Sequence, residues 1–263
     1  RLTSSNWVGA DVEVRYAGRA AKTTSGHDGA FTVTLKGGDS LFPLGLGTAE
    51  AGVKGAVGIA TVDIVSPEAP FVVVSDFDDT IAVTNVLDGS KLVTAALLQD
   101  GKSQPAVEGM ADFYECLRAE KAKRPGFALV SGSPQQYVDR VREFLRVNRF
   151  PIGFGVYLRD LGPGTLKNYK QPVIRSLLKD LSNPVVLIGD SGEHDPEVYA
   201  QMRAEFPGRV QAIYIHDVGH SDDPTRFKDM VLFKSPRDAA LDAVTRGFAS
   251  ASCVADVFSE KAK

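Results

Sequence analysis

The sequence predicts a doubly wound α/β domain built on a parallel sheet, preceded by a small β-sandwich-like domain. Three observations predict it. From Phe71 onward, short apolar runs rich in Val, Ile and Leu alternate with amphipathic helical patterns. Several of those runs stop abruptly at acidic or hydroxyl residues, as strands do where their C-terminal ends face a ligand crevice. The stretch before Phe71 has instead a period of two and frequent glycines. The linker Ser66-Pro67-Glu68-Ala69-Pro70, stiff and extended by composition, divides an accessory β-rich domain over 1–66 from the α/β domain over 67–263.

In the first part, Val12, Val14 and Tyr16 alternate with polar residues, and Phe31, Val33 and Leu35 do so again after the turn signal His27-Asp28-Gly29. Gly37-Gly38 and Gly45-Leu46-Gly47 read as punctuation before a further strand over 57–65. The central strand of the second part is Phe71-Val72-Val73-Val74-Ser75, which runs into Asp76-Phe77-Asp78-Asp79-Thr80. Two carboxylates so close repel unless a cation or a shared proton relieves them, and a hard divalent ion such as Mg²⁺ is the natural relief. Residues 81–105 lack a clean period and read as an insertion over the strand ends, with Val86, Leu87, Leu92 and Val93 packing on the sheet or lining a lid. Met110, Phe113 and Leu117 mark a helix that Pro125-Gly126 follows.

The next strand, 127–130, ends in Ser131-Gly132-Ser133-Pro134. Ser133, with Pro134 and Gln136 behind it, reads as the cap of a helix over 134–148, whereas Ser131 is placed to offer a hydroxyl to an anion. Arg142, Arg146 and Arg149 form a solvated stripe on that helix, the kind of surface that can also meet anionic lipid. A strand over 155–158 follows, then Lys167 and Lys170 ahead of a helix containing Val173, Ile174, Leu177 and Leu178. The strand 185–189 enters Gly189-Asp190-Ser191-Gly192-Glu193-His194-Asp195, where Asp190 repeats the logic of Asp76. Asp195, followed by Pro196 and Glu197, carries a helix N-cap signature, and its spacing from Asp190 also lets both carboxylates reach one cation. Strands over 211–215 and 231–233 and a closing helix over 237–248 complete the pattern. His216, Asp217, His220, Asp222 and Asp223 read as loop residues after a strand, with a zinc set as the lesser alternative.

With 43% hydrophobic and 24% charged residues among 263, the chain is composed as a soluble globular protein, and a net charge of −3 disfavours nucleic acid as a partner. No apolar run approaches the roughly 18 residues that span a bilayer, so membrane contact is expected to be peripheral. Cys116 and Cys253, far apart and in no metal or redox spacing, read as buried thiols, and neither an oxidising nor a reducing compartment is excluded. The chain opens without Met, which leaves room for an upstream segment such as a signal peptide and leaves localisation open, cytoplasmic or exported.

Acidic residues, a hydroxyl and a lysine converging on one sheet edge, without a Ser-His-Asp order or a Gly-rich phosphate loop, suit transfer of a phosphoryl group through a carboxylate nucleophile. Here the sequence resembles the haloacid dehalogenase superfamily, a Rossmann-like fold, in four motifs: 76–80, Ser131, a lysine before a helix, and Gly189-Asp190 through Asp195. More narrowly SDFDDT, VSGSP, GDSGEHDPEVY and FPGRVQAIYI resemble the actin-patch-associated phosphatidate phosphatase family, related to the catalytic domains of lipins, over about residues 70–250. The resemblance implies that Asp76 attacks phosphorus to form an aspartyl phosphate and that Asp78 serves as acid and then base. It implies Mg²⁺ on Asp76, the Asp78 main chain and Asp190, with Asp195 in support. Thr80, Ser131 and Gly132 would contact the phosphoryl group with Lys170, for which Lys167 is the alternative. After the strand the family pattern leads to Arg, where this chain has His216. Expected substrates are phosphatidate or a related phospholipid, with a soluble phosphomonoester or phosphoprotein, or a non-catalytic lipid-binding module, as the alternatives.

Overall fold

A computed structural model describes residues 7–27, 29–37, 41–84, 104–119, 123–159, 168–219 and 222–259. The chain divides into two compact units, Arg1–Ser66 and Pro67–Lys263.

The first unit is one antiparallel sheet of order β2-β1-β3-β4, made by β1 (Asp11–Tyr16), β2 (Arg19–Thr24), β3 (Gly45–Val53) and β4 (Ala56–Ile64). The second sheet that a sandwich requires is not found among the described residues. Two tight turns set the register. Ala17 and Gly18, at φ 47° and 75°, close β1 on β2, while Lys54 and Gly55, at 48° and 84°, close β3 on β4. Two successive positive φ values match the right-handed strand twist, so these pairs make the hairpins. Two expectations are corrected: residues 31–35 form no strand, and Gly45-Leu46-Gly47 begins one. Gly47 is there because the Tyr16 ring lies over it, 2.6 Å from where a Cβ would stand.

The second unit holds a six-stranded parallel sheet of order β10-β9-β8-β5-β6-β7. Its strands are β5 (Val72–Ser75), β6 (Gly126–Pro134), β7 (Gly155–Arg159), β8 (Val185–Asp190), β9 (Val210–His216) and β10 (Val231–Phe233). Every residue of β5 and β8 is buried, as a parallel strand covered on both faces requires. The chain enters at β5, walks out to β7, returns to β8 beside β5 and walks out the other way. That reversal leaves a crevice at the C-terminal ends of β5 and β8.

Alternation along the strands sends side chains to two faces. Val73, Phe127, Leu129, Val186, Ile188, Ala212 and Tyr214 join one continuous apolar core with α1 (Met110–Arg118), α2 (Val138–Val147), α5 (Pro236–Thr245) and α6 (Ala251–Ser259). Val74, Leu187 and Ile215 are buried on the other face, and α3 (Lys170–Asp180) and α4 (Asp195–Glu205) pack on each other and on the sheet.

Three further expectations change. The helix predicted from Pro134 begins later: β6 runs on to Pro134, paired with Arg159, and a 3₁₀ turn, Gln135–Tyr137, precedes α2. The closing helix is followed by α6. Cys116 and Cys253 are not free thiols but a disulfide that ties α1 to α6 across 137 residues, beside a hydrogen bond of 3.0 Å from the Ser250 amide to the Cys116 carbonyl. Val86, Leu87, Leu92 and Val93 lie outside the described residues.

Candidate active site

Each acidic residue reaches the crevice for a local reason. The Asp76 amide donates to the Ile188 carbonyl at 2.9 Å, carrying the β5–β8 ladder one residue past the strand. Phe77 then turns into the core, its ring 5.1 Å from that of Phe144 and edge-on to it. This anchor lets Asp76 and Asp78, on either side of it, serve the crevice. The amides of Ile81 and Ala82 both donate to the Phe77 carbonyl, and Asp79 turns the loop at φ 51°.

Asp190 ends β8, its Oδ1 accepting from the amides of Gly192 (2.7 Å) and Glu193 (3.1 Å). Its Oδ2 is buried and has no hydrogen-bond partner among the described residues. Asp195 is the first residue of α4 and fully buried, and it is not the cap its sequence suggests. Its Oδ2 accepts from the Asp190 amide at 3.3 Å and its Oδ1 meets the Lys170 ammonium. That approach needs Gly189, where a Cβ would stand 2.7 Å from the Asp195 Cβ.

Lys170, the first residue of α3, is buried, and its Nζ lies 2.8 Å from Asp76 Oδ1 and 3.4 Å from Glu193 Oε2. Lys167, the alternative, lies outside the described residues. Asp76, Asp190 and Asp195 each bring a carboxylate oxygen within 4.8 Å of the others'. Asp76, Asp195 and the more exposed Glu193 all pair with Lys170. Burial, and then Asp195, push the Asp190 carboxyl up to about 8, and burial, and then Glu193, push that of Asp78 up to about 7. Burial raises Asp76 as well, against the pull of Lys170. Burial works against the charge on Lys170, but Asp195 and Asp76 outweigh it and hold the lysine protonated. A buried acidic excess with an unpartnered oxygen is the environment a divalent cation relieves, so the residues present fit such an ion.

The hydroxyls meet on Asp78. Ser131 Oγ accepts from the Ser133 amide at 3.0 Å and donates to Asp78 Oδ2 at 3.3 Å, and Ser133 Oγ donates to the same oxygen at 3.3 Å. Ser133 thus joins the site rather than capping a helix. Because β6 continues past Ser131, residues two apart share a face, a signal that the capping pattern of Ser133-Pro134 obscured. Thr80 Oγ1 lies 3.4 Å from Asp76 Oδ2. The Gly132 carbonyl accepts from Arg159 Nε at 2.9 Å, and the Tyr169 ring crowds the place a Cβ would take, 2.7 Å from Cζ. Tyr169 and Glu193 are site neighbours that the sequence reading missed.

The His216 cluster does not form a metal site among the described residues. Asp217 accepts from the Gly219 amide, Asp223 caps the 3₁₀ turn Pro224–Phe227, and His220 lies outside the described residues. Arg142 and Arg146 pair with Asp139 and Glu143 on the exposed side of α2.

A family model described as "Phosphatidate phosphatase APP1, catalytic domain" matches residues 71–217, more than half of the chain and a range that contains Asp76, Asp78, Asp190, Glu193 and Asp195. Phosphatidate phosphatase APP1 of Saccharomyces cerevisiae is 31% identical over 157 residues, covering 56% of this chain and 26% of that protein. An uncharacterized protein of Schizosaccharomyces pombe is 31% identical over 154 residues, covering 56% and 25%. The match thus spans about a quarter of the length of these relatives. A solved structure, that of the Pnkp1/Rnl/Hen1 complex, aligns with a TM-score of 0.42 at 16% identity over 59% of this chain and 48% of that one.

Proposed function

The chain belongs to the family of the phosphatidate phosphatase APP1 catalytic domain, and from that premise we propose that it is a Mg²⁺-dependent phosphomonoester hydrolase of the haloacid dehalogenase type, converting phosphatidate to diacylglycerol. The observation that carries the reading is the buried cluster of Asp76, Asp190 and Asp195 at the β5/β8 crevice, with Lys170 paired to Asp76 and Asp195 and with Asp190 Oδ2 unpartnered among the described residues. Retention of both Asp76 and Asp78 favours turnover over a lipid-binding module.

In this reading an Asp76 carboxylate oxygen attacks phosphorus and the bond to the lipid alcohol breaks. Asp78 delivers a proton to the departing oxygen. Asp78 then takes a proton from water, whose oxygen attacks phosphorus, and the bond to Asp76 breaks to return the free carboxylate and phosphate. Lys170 holds Asp76 in place and offers positive charge to the phosphoryl oxygens. Ser131 and Ser133 orient Asp78. Asp76, the Asp78 main chain and Asp190 would hold Mg²⁺, with Asp195 in support, and the ion would supply charge neutralisation between nucleophile and phosphate.

No described helix is long and apolar enough to cross a membrane, so the substrate would be met at a peripheral surface. We also place the protein in an oxidising compartment, because a disulfide persists there and is rare in the cytosol.

Thermal unfolding with and without Mg²⁺ tests the cation directly. Mg²⁺ is expected to stabilise the wild type, by about 2.7 kcal/mol at a hundredfold excess over Kd, and to do little for Asp190→Asn. Chelator should abolish phosphate release from a soluble phosphomonoester. Release that persists in chelator would contradict the metal assignment.

A further inference from the structure

His216 stands where the family resemblance leads to an arginine, yet its side chain is committed within the protein. Its Nδ1 lies 2.7 Å from the Asp79 carbonyl oxygen. A carbonyl only accepts, so the ring must carry its proton on Nδ1 and donate. The ring also stacks on Phe233, with centroids 5.4 Å apart and planes 25° apart, which fixes its orientation.

The acceptor it holds is an unusual one. Asp79 has φ 51°, in the left-handed region, which is sparsely populated by residues with a Cβ and which Asp tolerates better than most. Its other groups are tied locally: the amide donates to Ala82 O at 2.8 Å, and Oδ1 accepts from the Thr84 amide at 2.8 Å. The imidazole supplies a tie from a distant strand, 137 residues away in sequence. Asp79 sits between Asp78 and Thr80, so its turn sets where both neighbours point.

The same residue grips the other half of the crevice. Its carbonyl accepts from the Ser191 amide at 2.9 Å, and it is paired in register with Asp190. One residue at the end of β9 therefore links the β8 terminus, which carries Asp190, to the β5 loop, which carries Asp76 and Asp78.

We propose that His216 is a positioning residue that holds the strained Asp79 turn and thereby sets the spacing between the two acidic segments, rather than a contact for the substrate headgroup. The proposal rests on the catalytic reading of Asp76 and Asp78. It gives the departure from arginine a role: a short, flat ring stacked on Phe233 reaches the loop.

Steady-state kinetics on dispersed phosphatidate and on a soluble phosphomonoester, for wild type, His216→Ala, His216→Asn and His216→Ala with Asp79→Gly, test it. Loop positioning predicts that His216→Ala lowers kcat about 10–100-fold on both substrates, as a misplacement of about 1 Å does, with KM little changed. His216→Asn, which keeps an N–H near the Nδ1 position, should recover most of the loss. Glycine at position 79 adopts positive φ without strain and should recover part of it. A rise in KM confined to phosphatidate, or unchanged kinetics, would overturn the proposal. Hydrogen exchange reads the same tie without turnover: the Ala82 and Thr84 amides should exchange at least about tenfold faster in His216→Ala, and unchanged exchange would refute it. Absence of wild-type turnover on both substrates would instead count against the phosphatase reading, with the exchange result still deciding the role of His216.

Discussion

Asp76→Asn is expected to lower turnover by about 10³-fold or more while leaving the protein folded, since the variant loses the carboxylate that the proposed mechanism uses as nucleophile. The amide is nearly isosteric but cannot form the aspartyl phosphate, and in the proposed mechanism Asp78 is committed as acid and base, held by Ser131 and Ser133. Stability should not fall. Burial already disfavours the Asp76 charge, so the neutral amide relieves a cost, and Lys170 keeps Asp195 as its partner. Activity on a soluble phosphomonoester and a melting curve from one preparation separate the two effects. Activity near wild type with unchanged melting would remove Asp76 from its role.

Opening the Cys116–Cys253 disulfide is expected to have the largest effect on stability. The bridge spans 137 residues, and the chain-entropy account gives about 5 kcal/mol for closing a loop of that length. Measured values run lower, so about 2–5 kcal/mol is expected for Cys116→Ala with Cys253→Ala. At this size that lowers Tm by about 10 °C. Both cysteines lie in helices that pack on the apolar core, and neither bonds to an acidic residue of the crevice. Turnover at 25 °C should therefore survive in the fraction that stays folded. Denaturation of the oxidised protein, the reduced protein and the double variant measures this, and equal stability in all three would show that the bridge contributes nothing.

The parallel sheet was legible because its central strands, β5 and β8, are apolar on both faces and end at carboxylates. Asp76 and Asp190 fell at one crevice because both strands end at the same edge of the sheet. Ser133 was misread because a serine before proline satisfies a local capping pattern, while the pairing of Pro134 with Arg159 that keeps the segment extended comes from a distant strand. Asp195 was legible in part: its position at the start of α4 suggested a cap, whereas its spacing from Asp190 pointed to the shared cluster in which Lys170 and the Asp190 amide claim its oxygens. The disulfide was illegible because the docking of α6 on α1, not any spacing, brings the sulfurs together. In the first unit the Gly45–Gly47 segment looked like a turn only because nothing in the sequence reveals the Tyr16 ring above Gly47.

The account stands or falls most directly on phosphate release from dispersed phosphatidate, measured beside a soluble phosphomonoester, with Mg²⁺ and with chelator. It predicts Mg²⁺-dependent release that favours phosphatidate and vanishes in chelator. Release from the soluble ester alone would contradict the lipid substrate, and no release from either would contradict the phosphatase itself.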